Sequence, residues 1–265
     1  LAITFTNKAA REMRERVERL LGSLGGAWIG TFHATCARLL RREIEVLGGW
    51  TRDFSIYDTS DKNLMIKRIL KELALDPVRF RPAAIGGWIS SLKNASSTAE
   101  ALEDEGIEGE VFARVRRRYE EDLRSANALD FDDLLLKVLE IFERQPGIRD
   151  AWARRFRYVL VDEYQDTNRV QYLLVRHLAS VHGNLAVCGD PDQSIYAWRG
   201  ADIRNILDFE SDFGGAKVVK LEQNYRSKAT ILAAASAVIA RNGRRHEKAL
   251  FTEAAEGEKI ALLEC

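Results

Sequence analysis

Several absences bound what this chain can be. It has three cysteines, Cys36, Cys188 and Cys265, far apart and odd in number. They form no disulfide framework, and with four scattered histidines they make no metal-ligand spacing. A reducing, cytoplasmic setting fits that usage. No apolar run approaches membrane-spanning length, no signal peptide opens the chain, and no membrane partner is expected. Forty basic side chains face forty acidic ones, a net charge of zero. That balance excludes a globally basic nucleic-acid binder but leaves room for a local basic groove. Low-complexity stretches and internal repeats are missing, and so is any G-x-x-x-x-G-K-[ST] loop.

What is present is ample for a folded core. The chain has 265 residues and is 46% hydrophobic, enough for one core and room for a second domain. Arginine falls in short clusters: Arg38, Arg41 and Arg42; Arg114, Arg116, Arg117 and Arg118; Arg154, Arg155 and Arg157; Arg241, Arg244 and Arg245. Each cluster reads first as a solvated helix face paired with nearby Glu and Asp. The chain opens without Met on the strand-like LAITFT and stops at the strand-like KIALLEC. Both ends read as internal to a longer protein.

Strand-like and helix-like segments alternate early. LAITFT precedes NKAAREMRERVERLLG, where Ala9, Ala10, Met13, Val17, Leu20 and Leu21 recur at helical spacing. Thr6 is the expected N-cap and Gly22 the expected stop. AWIGTF then reads as strand and HATCARLLRREIEVLG as helix, and this rhythm predicts a parallel sheet covered by helices. From about Ser60 to Gln145 every segment reads helical, with loops at Asp76–Pro82 and Asn94–Thr98. That block suggests an inserted all-helical subdomain, with LDFDDLLLKVLEIF at 129–142 leading back to the main fold. The α/β pattern resumes with YVLVDE, a helix over 168–180, the strand NLAVCGD and a helix from about Ile203. After Gly214 and Gly215, KVVKLEQN reads as strand and KATILAAASAVIARNG as helix. The expected domains are 1–59 and 129–214 for the first α/β unit, 60–128 for the insertion, and 215–265 for the start of a second unit.

Two segments concentrate the chemistry: YVLVDEYQDTN at 158–168 and GDPDQSIYAWRG at 189–200. In the first, a buried apolar strand ends in Asp162 and Glu163, where ligands sit in open α/β sheets. Phosphoryl transfer needs one carboxylate to hold Mg²⁺ and a second group to orient water, and an adjacent pair can do both. The plain alternative is a strand-end acid capping the next helix. The second segment follows the next strand and belongs to a neighbouring loop on the same edge. Gly189 and Pro191 shape its turn, and the Gln193 amide can sense a phosphate oxygen. Tyr196 and Trp198, two apart in extended backbone, would face the same way. Such a pair stacks on unpaired bases, worth about 1–3 kcal/mol per base; the plain alternative is two core rings.

DEYQD and GDPDQSIYAWRG, with LEQNYRS at 221–227, resemble the superfamily 1 DNA helicases of the UvrD/PcrA/Rep type. TFTNKAA at 4–10, GTFH at 30–33 and LDFDDLL at 129–135 match further segments of that family in the same order, so the resemblance spans nearly the whole chain. It implies a RecA-like, P-loop NTPase parallel sheet with an inserted helical subdomain and the start of a second RecA-like domain. It implies ATP and Mg²⁺ as cofactors, and single-stranded DNA and duplex junctions as partners, with 3′-to-5′ translocation. Asp162 would hold Mg²⁺ and Glu163 would activate water. Gln193 would contact the γ-phosphate, Arg226 would act as an arginine finger, and Tyr225 would stack on adenine. Phe5, Asn7, Thr31, Phe32 and His33 would line the single-strand path beside Tyr196 and Trp198. On residues alone, His33 reads as structural and Arg226 as a surface helix-start arginine.

Tyr164 stands where this family often has Phe. The resemblance places the phosphate loop before Leu1 and the remaining motifs after Cys265, so this piece alone is expected to be inactive. Two other readings stay open: the motor of a helicase–nuclease subunit, and a non-catalytic single-strand-binding module.

Overall fold

The computed structural model describes residues 1–94, 107–243 and 248–261. Arg244, Arg245, Cys265, the end of KIALLEC and most of the Asn94–Thr98 loop lie outside them. The first βαβα unit forms as the pattern predicts. Strand β1 (Ala2–Thr4) leads into α1 (Asn7–Leu21), and β2 (Ile29–Thr31) into α2 (Phe32–Glu43). The Thr6 hydroxyl accepts from the Ala9 amide, and Gly22 closes α1 in the left-handed region at φ 77°. Thr31 caps α2 in the same way, so the helix starts at Phe32, inside the segment read as strand.

Next come β3 (Ser55–Tyr57), α3 (Thr59–Glu72), α4 (Pro82–Asn94), α5 (Ile107–Ser125), β4 (Ala128–Asp130) and α6 (Phe131–Arg144). The all-helical reading of 60–145 is corrected at one place: β4 is a strand, and it pairs in parallel with β3. Three residues are too few to show a period of two. Because β3 and β4 are neighbours, the chain enters and leaves the α3–α5 segment side by side. Those helices hold a core of their own, with Ile66, Ile69, Leu70, Ile85, Ile89, Val115 and Tyr119 fully buried. In α6, the capping box of Asp130 and Asp133 starts a helix whose Leu134, Leu135, Val138, Ile141 and Phe142 pack into the main core. Each such side chain contributes about 1.5–3 kcal/mol.

The chain continues through α7 (Pro146–Arg155), β5 (Val159–Val161), α8 (Arg169–Ala179), β6 (Leu185–Val187), the short α9 (Arg204–Leu207) and α10 (Phe209–Asp212), and α11 (Ala229–Ile239). The main sheet runs β2-β1-β5-β6, parallel throughout. Val159 and Val161 are buried while Leu160 is 48% exposed, so YVLVDE is covered on one face only, not on both as its apolar run suggests. KVVKLEQN is not a strand. A single bridge joins Gln223 to Phe251, and among the described residues no ladder pairs with the segment, which is irregular. The helix from Ile203 is two four-residue turns, α9 and α10. Residues 259–261 of KIALLEC carry no regular structure.

The arginine clusters split between two fates. Arg116 and Arg118 pair with Glu120, Asp122 and Glu72 as solvated faces do. Arg38 instead stacks on Trp28 at 3.9 Å and Arg41 on Phe54 at 3.7 Å.

Candidate functional site

The carboxyl ends of β1, β5 and β6 are tied together by the backbone. The Asp162 amide donates to Ile3, Cys188 to Val161, and Tyr164 to Cys188, all at 2.8–2.9 Å. Asp162 is half-buried at the end of β5, and Glu163 is exposed beside it. Glu163 sits at φ 52°, a left-handed conformation that costs a non-glycine residue about 1–3 kcal/mol. That kink turns the chain off the sheet into a short 3-10 turn, Tyr164–Asp166.

Gln165 is the residue that joins the two loops. It is 1% exposed. Its amide donates to the Glu163 carboxylate at 2.8 Å, and its carbonyl accepts the Asp190 backbone N–H at 2.9 Å. Gly189 makes this approach possible: an added Cβ would lie 2.6 Å from the Gln165 carbonyl oxygen and 2.7 Å from Ile206.

Asp190 caps the following 3-10 turn, Pro191–Gln193, and accepts from the Gln193 side chain at 2.8 Å. Burial pushes its pKa up, but the Lys248 ion pair and the Gln193 hydrogen bond outweigh that and hold it below the ordinary range. Lys248 also pairs with Asp192 at 3.0 Å, tying the segment after α11 to this loop. On the other side of Asp162, burial raises the Cys188 thiol pKa, and the Asp162 and Glu163 carboxylates raise it further.

Tyr196 precedes, and Trp198 lies within, a 3-10 turn at Ala197–Arg199, which corrects the extended backbone expected there. The turn still brings their rings together, 6.4 Å apart and tilted by 50°. Trp198 is 74% exposed, so the core-ring alternative does not describe it.

The strand-path candidates separate. Asn7 and Thr31 line one cleft of about 500 Å³ with Arg11, Arg14, Thr35 and Arg38. Phe5 meets Phe32 edge-on at 6.1 Å, and Phe32 is buried at 3% exposure. Phe32 therefore packs in the main core and does not line an open path. His33 packs against Phe131 at 5.5 Å; burial lowers its pKa and the nearby Asp132 opposes that. Tyr225 is 85% exposed and donates to Gln223 at 2.6 Å, while the Arg226 backbone donates to Asn224 at 3.0 Å. Among the described residues, neither Tyr225 nor Arg226 is brought into a hydrogen bond or ion pair with Asp162, Glu163 or Gln193.

Sequence reasoning missed Gln165, Asp190 and Lys248. A signal for Gln165 was available: a polar residue two places after the acid pair, inside a segment that buries Tyr164, Asp166 and Thr167.

An open parallel α/β sheet with paired carboxylates at the carboxyl end of an inner strand is the place where sheets of this class carry their ligand sites. The family follows from comparison: residues 1–214 match the UvrD/REP helicase N-terminal domain, and the chain belongs to that family. It is 52% identical over 264 residues to the ATP-dependent DNA helicase PcrA of Bacillus subtilis (strain 168), covering 98% of this chain and 36% of that protein. It is 48% identical over 263 residues to PcrA of Staphylococcus aureus (strain Mu50 / ATCC 700699), again 98% of this chain and 36% of the relative. It is 47% identical over 277 residues to UvrD1 of Mycobacterium leprae (strain TN), with 98% and 36% coverage. The chain thus spans about a third of the length of these relatives. Among the described residues, no helix is long and apolar enough to cross a membrane.

Proposed function

We propose that this chain is part of the motor of an ATP-dependent DNA helicase that moves along single-stranded DNA. The observation that carries the reading is Gln165, which holds the Glu163 carboxylate and the backbone of the aromatic loop with one buried side chain. A change at the carboxylates is thereby felt by the loop that presents Trp198.

Residues 1–59 and 129–214 form the first RecA-like unit in this reading. Residues 60–128 are its inserted helical subdomain, and a second RecA-like unit starts at 215. The side-by-side β3 and β4 and the separate α3–α5 core support the insertion. Asp162 suits Mg²⁺: it is a half-buried oxygen donor with no basic side chain paired to it among the described residues, and Mg²⁺ takes one or two carboxylates plus phosphate oxygens. Bound there, Mg²⁺ would neutralise charge on the transferring phosphoryl group. Glu163, exposed and held by Gln165, orients the attacking water. Gln193 reports the γ-phosphate to its loop, and Tyr196 and Trp198 stack on bases. Phe5, Asn7, Thr31 and His33 border the strand path. Tyr225 stacks on adenine, and Arg226 meets the γ-phosphate when the two units close, a contact worth about 10³–10⁵ in rate. Single-strand to duplex junctions are the substrate, entered 3′ to 5′.

The test is ATP hydrolysis by the full-length protein with and without single-stranded DNA. Stimulation that disappears in Glu163→Gln is expected. Strand binding with no hydrolysis, and no effect of ATP on affinity, would replace this reading with a binding module.

A further inference from the structure

Asn94, the last residue of α4, stands where three parts of the fold meet. Its side-chain carbonyl accepts from the Asn168 side-chain amide at 2.9 Å. Its own amide donates to Asp132 at 2.8 Å and to the Ser90 backbone at 2.8 Å. An added Cβ on Gly200 would lie 4.0 Å from the Asn94 Cβ, so the end of the aromatic loop passes near the same residue.

Each partner belongs to a different element. Asn168 caps α8 and follows, after Thr167, the turn that carries Gln165 and is preceded by Glu163. It is buried at 8% exposure, and its side-chain oxygen is committed to the Gln171 amide. Asp132 lies on α6 within a buried cluster that reaches α3 and α4, accepting from Ser90 at 2.5 Å and pairing with Lys62 at 3.5 Å. The aromatic loop is fastened beside them. Asp202 donates its amide to the Thr167 carbonyl at 2.9 Å, and the buried Asn205 donates to the same oxygen at 2.9 Å. Asn168 and Asn205 are buried at this junction and Asn94 and Asp132 half-buried, and withdrawing polar groups from water is unfavourable unless their bonds are made, so their geometry is shared.

We propose that Asn94 is a positioning residue that sets the carboxylate turn and the aromatic loop relative to the α3–α5 helices. The inference rests on the motor reading for its consequence, not for its geometry. If the tie transmits, cutting it slows DNA-stimulated turnover and leaves ATP binding alone.

The experiment uses the full-length protein with Asn94→Ala, Asn168→Ser and the double variant. Serine at 168 keeps a helix cap while deleting the amide that reaches Asn94, so it carries the test if Asn94→Ala fails to fold. Amide hydrogen exchange is expected to quicken in both 164–172 and 196–205, and to stay unchanged in α1 as control. DNA-stimulated kcat should fall about fivefold in each variant with KM for ATP unchanged, and the double variant should be no worse than the single ones. Exchange unchanged in both segments, or losses that multiply in the double variant, would overturn the proposal. If the unaltered protein is not stimulated by DNA, the motor reading fails, and the exchange result alone decides the tie.

Discussion

Gln165 donates to the Glu163 carboxylate at 2.8 Å from a position only 1% exposed. Glu163 is thereby held in a left-handed backbone conformation that its own residue type disfavours. The same Gln165 side chain accepts the Asp190 amide, so one residue sets the geometry of both loops.

Replacing Gln165 by Leu should leave the Asp190 amide and one Glu163 oxygen without this partner. The expected loss is about 1–3 kcal/mol in urea unfolding. Gln165→Glu should cost more, because it sets a third carboxylate between Glu163 and Asp166. Burial and Glu163 already raise the Asp166 pKa. Equal losses for the two variants would mean that shape, not charge, governs the position.

Gly189→Ala tests the close approach of the loops. The added Cβ would lie 2.6 Å from the Gln165 oxygen and 3.1 Å from the Tyr164 backbone nitrogen. Backbone cannot yield as a flexible side-chain tip can, so a loss of about 1–3 kcal/mol is expected. The denaturant midpoint should fall with the slope unchanged. A midpoint at the native value would show the loops free to separate.

These two positions illustrate what sequence can carry. The α1 boundaries were legible because Thr6 and Gly22 act within their own turn. The alternation of strand and helix over β1–α2 and β5–β6 was legible because apolar period is local. The Gln165 bridge was not, because its partner Asp190 is 25 residues away. Strand β4 escaped because its partner β3 lies across the helical segment, so pairing, not local pattern, makes it a strand. The backbone between Tyr196 and Trp198 was misread for a related reason. Its turn closes on Gly200 at φ 85°, and a three-residue window carries no sign of that.

The buried cluster beneath α4 predicts a pH-dependent defect. Lys93 contacts Asp130 at 2.9 Å and Asp133 at 2.7 Å, and all three side chains are nearly covered. Burial and Asp130 push Asp133 up to about 6, against the pull of Lys93. Burial also acts to raise Asp130, but Lys93 and Lys62 prevail and bring it down to about 2. With a folded pKa above its ordinary 3.8, Asp133 holds a proton in the folded chain between about pH 4 and pH 6 that the unfolded chain has released. Its contribution therefore declines as pH rises through that window. Asp130 has the opposite sign: its contribution is present above about pH 4 and is lost as pH falls toward 2. Lys93→Met leaves these carboxylates with less compensation, and a loss of about 3–5 kcal/mol is expected at pH 8. At pH 5 the loss should be smaller, because protonated Asp133 needs no cation. Urea midpoints of both proteins at the two pH values check this, and a pH-independent difference would refute it.

Trp198→Ala should separate binding from folding. The ring is 74% exposed, so unfolding should move by less than about 0.5 kcal/mol. Affinity for single-stranded DNA should fall by about 1–3 kcal/mol if a base stacks there. A large drop in melting temperature with unchanged affinity would return Trp198 to a packing role.

The last prediction reads the electrostatics of the strand end without relying on hydrolysis. Cys188 is exposed, yet burial of its thiol and the Asp162 and Glu163 carboxylates raise its pKa. The thiolate is the reactive form, so iodoacetamide should label Cys188 more slowly than a free cysteine at pH 8. Cys36 is buried with its pKa pushed up to about 12, so it serves as an unreactive internal reference. Asp162→Asn removes one of the charges that oppose ionisation, as well as a carboxylate that hydrogen-bonds the thiol. The rate at Cys188, followed on its own peptide by mass spectrometry, should then rise severalfold. Glu163→Gln should raise it less, since Glu163 acts through charge alone while Asp162 also binds the thiol directly. If both variants label at the native rate, the two carboxylates do not share a field with Cys188. The strand end would then be more open to solvent than its geometry states.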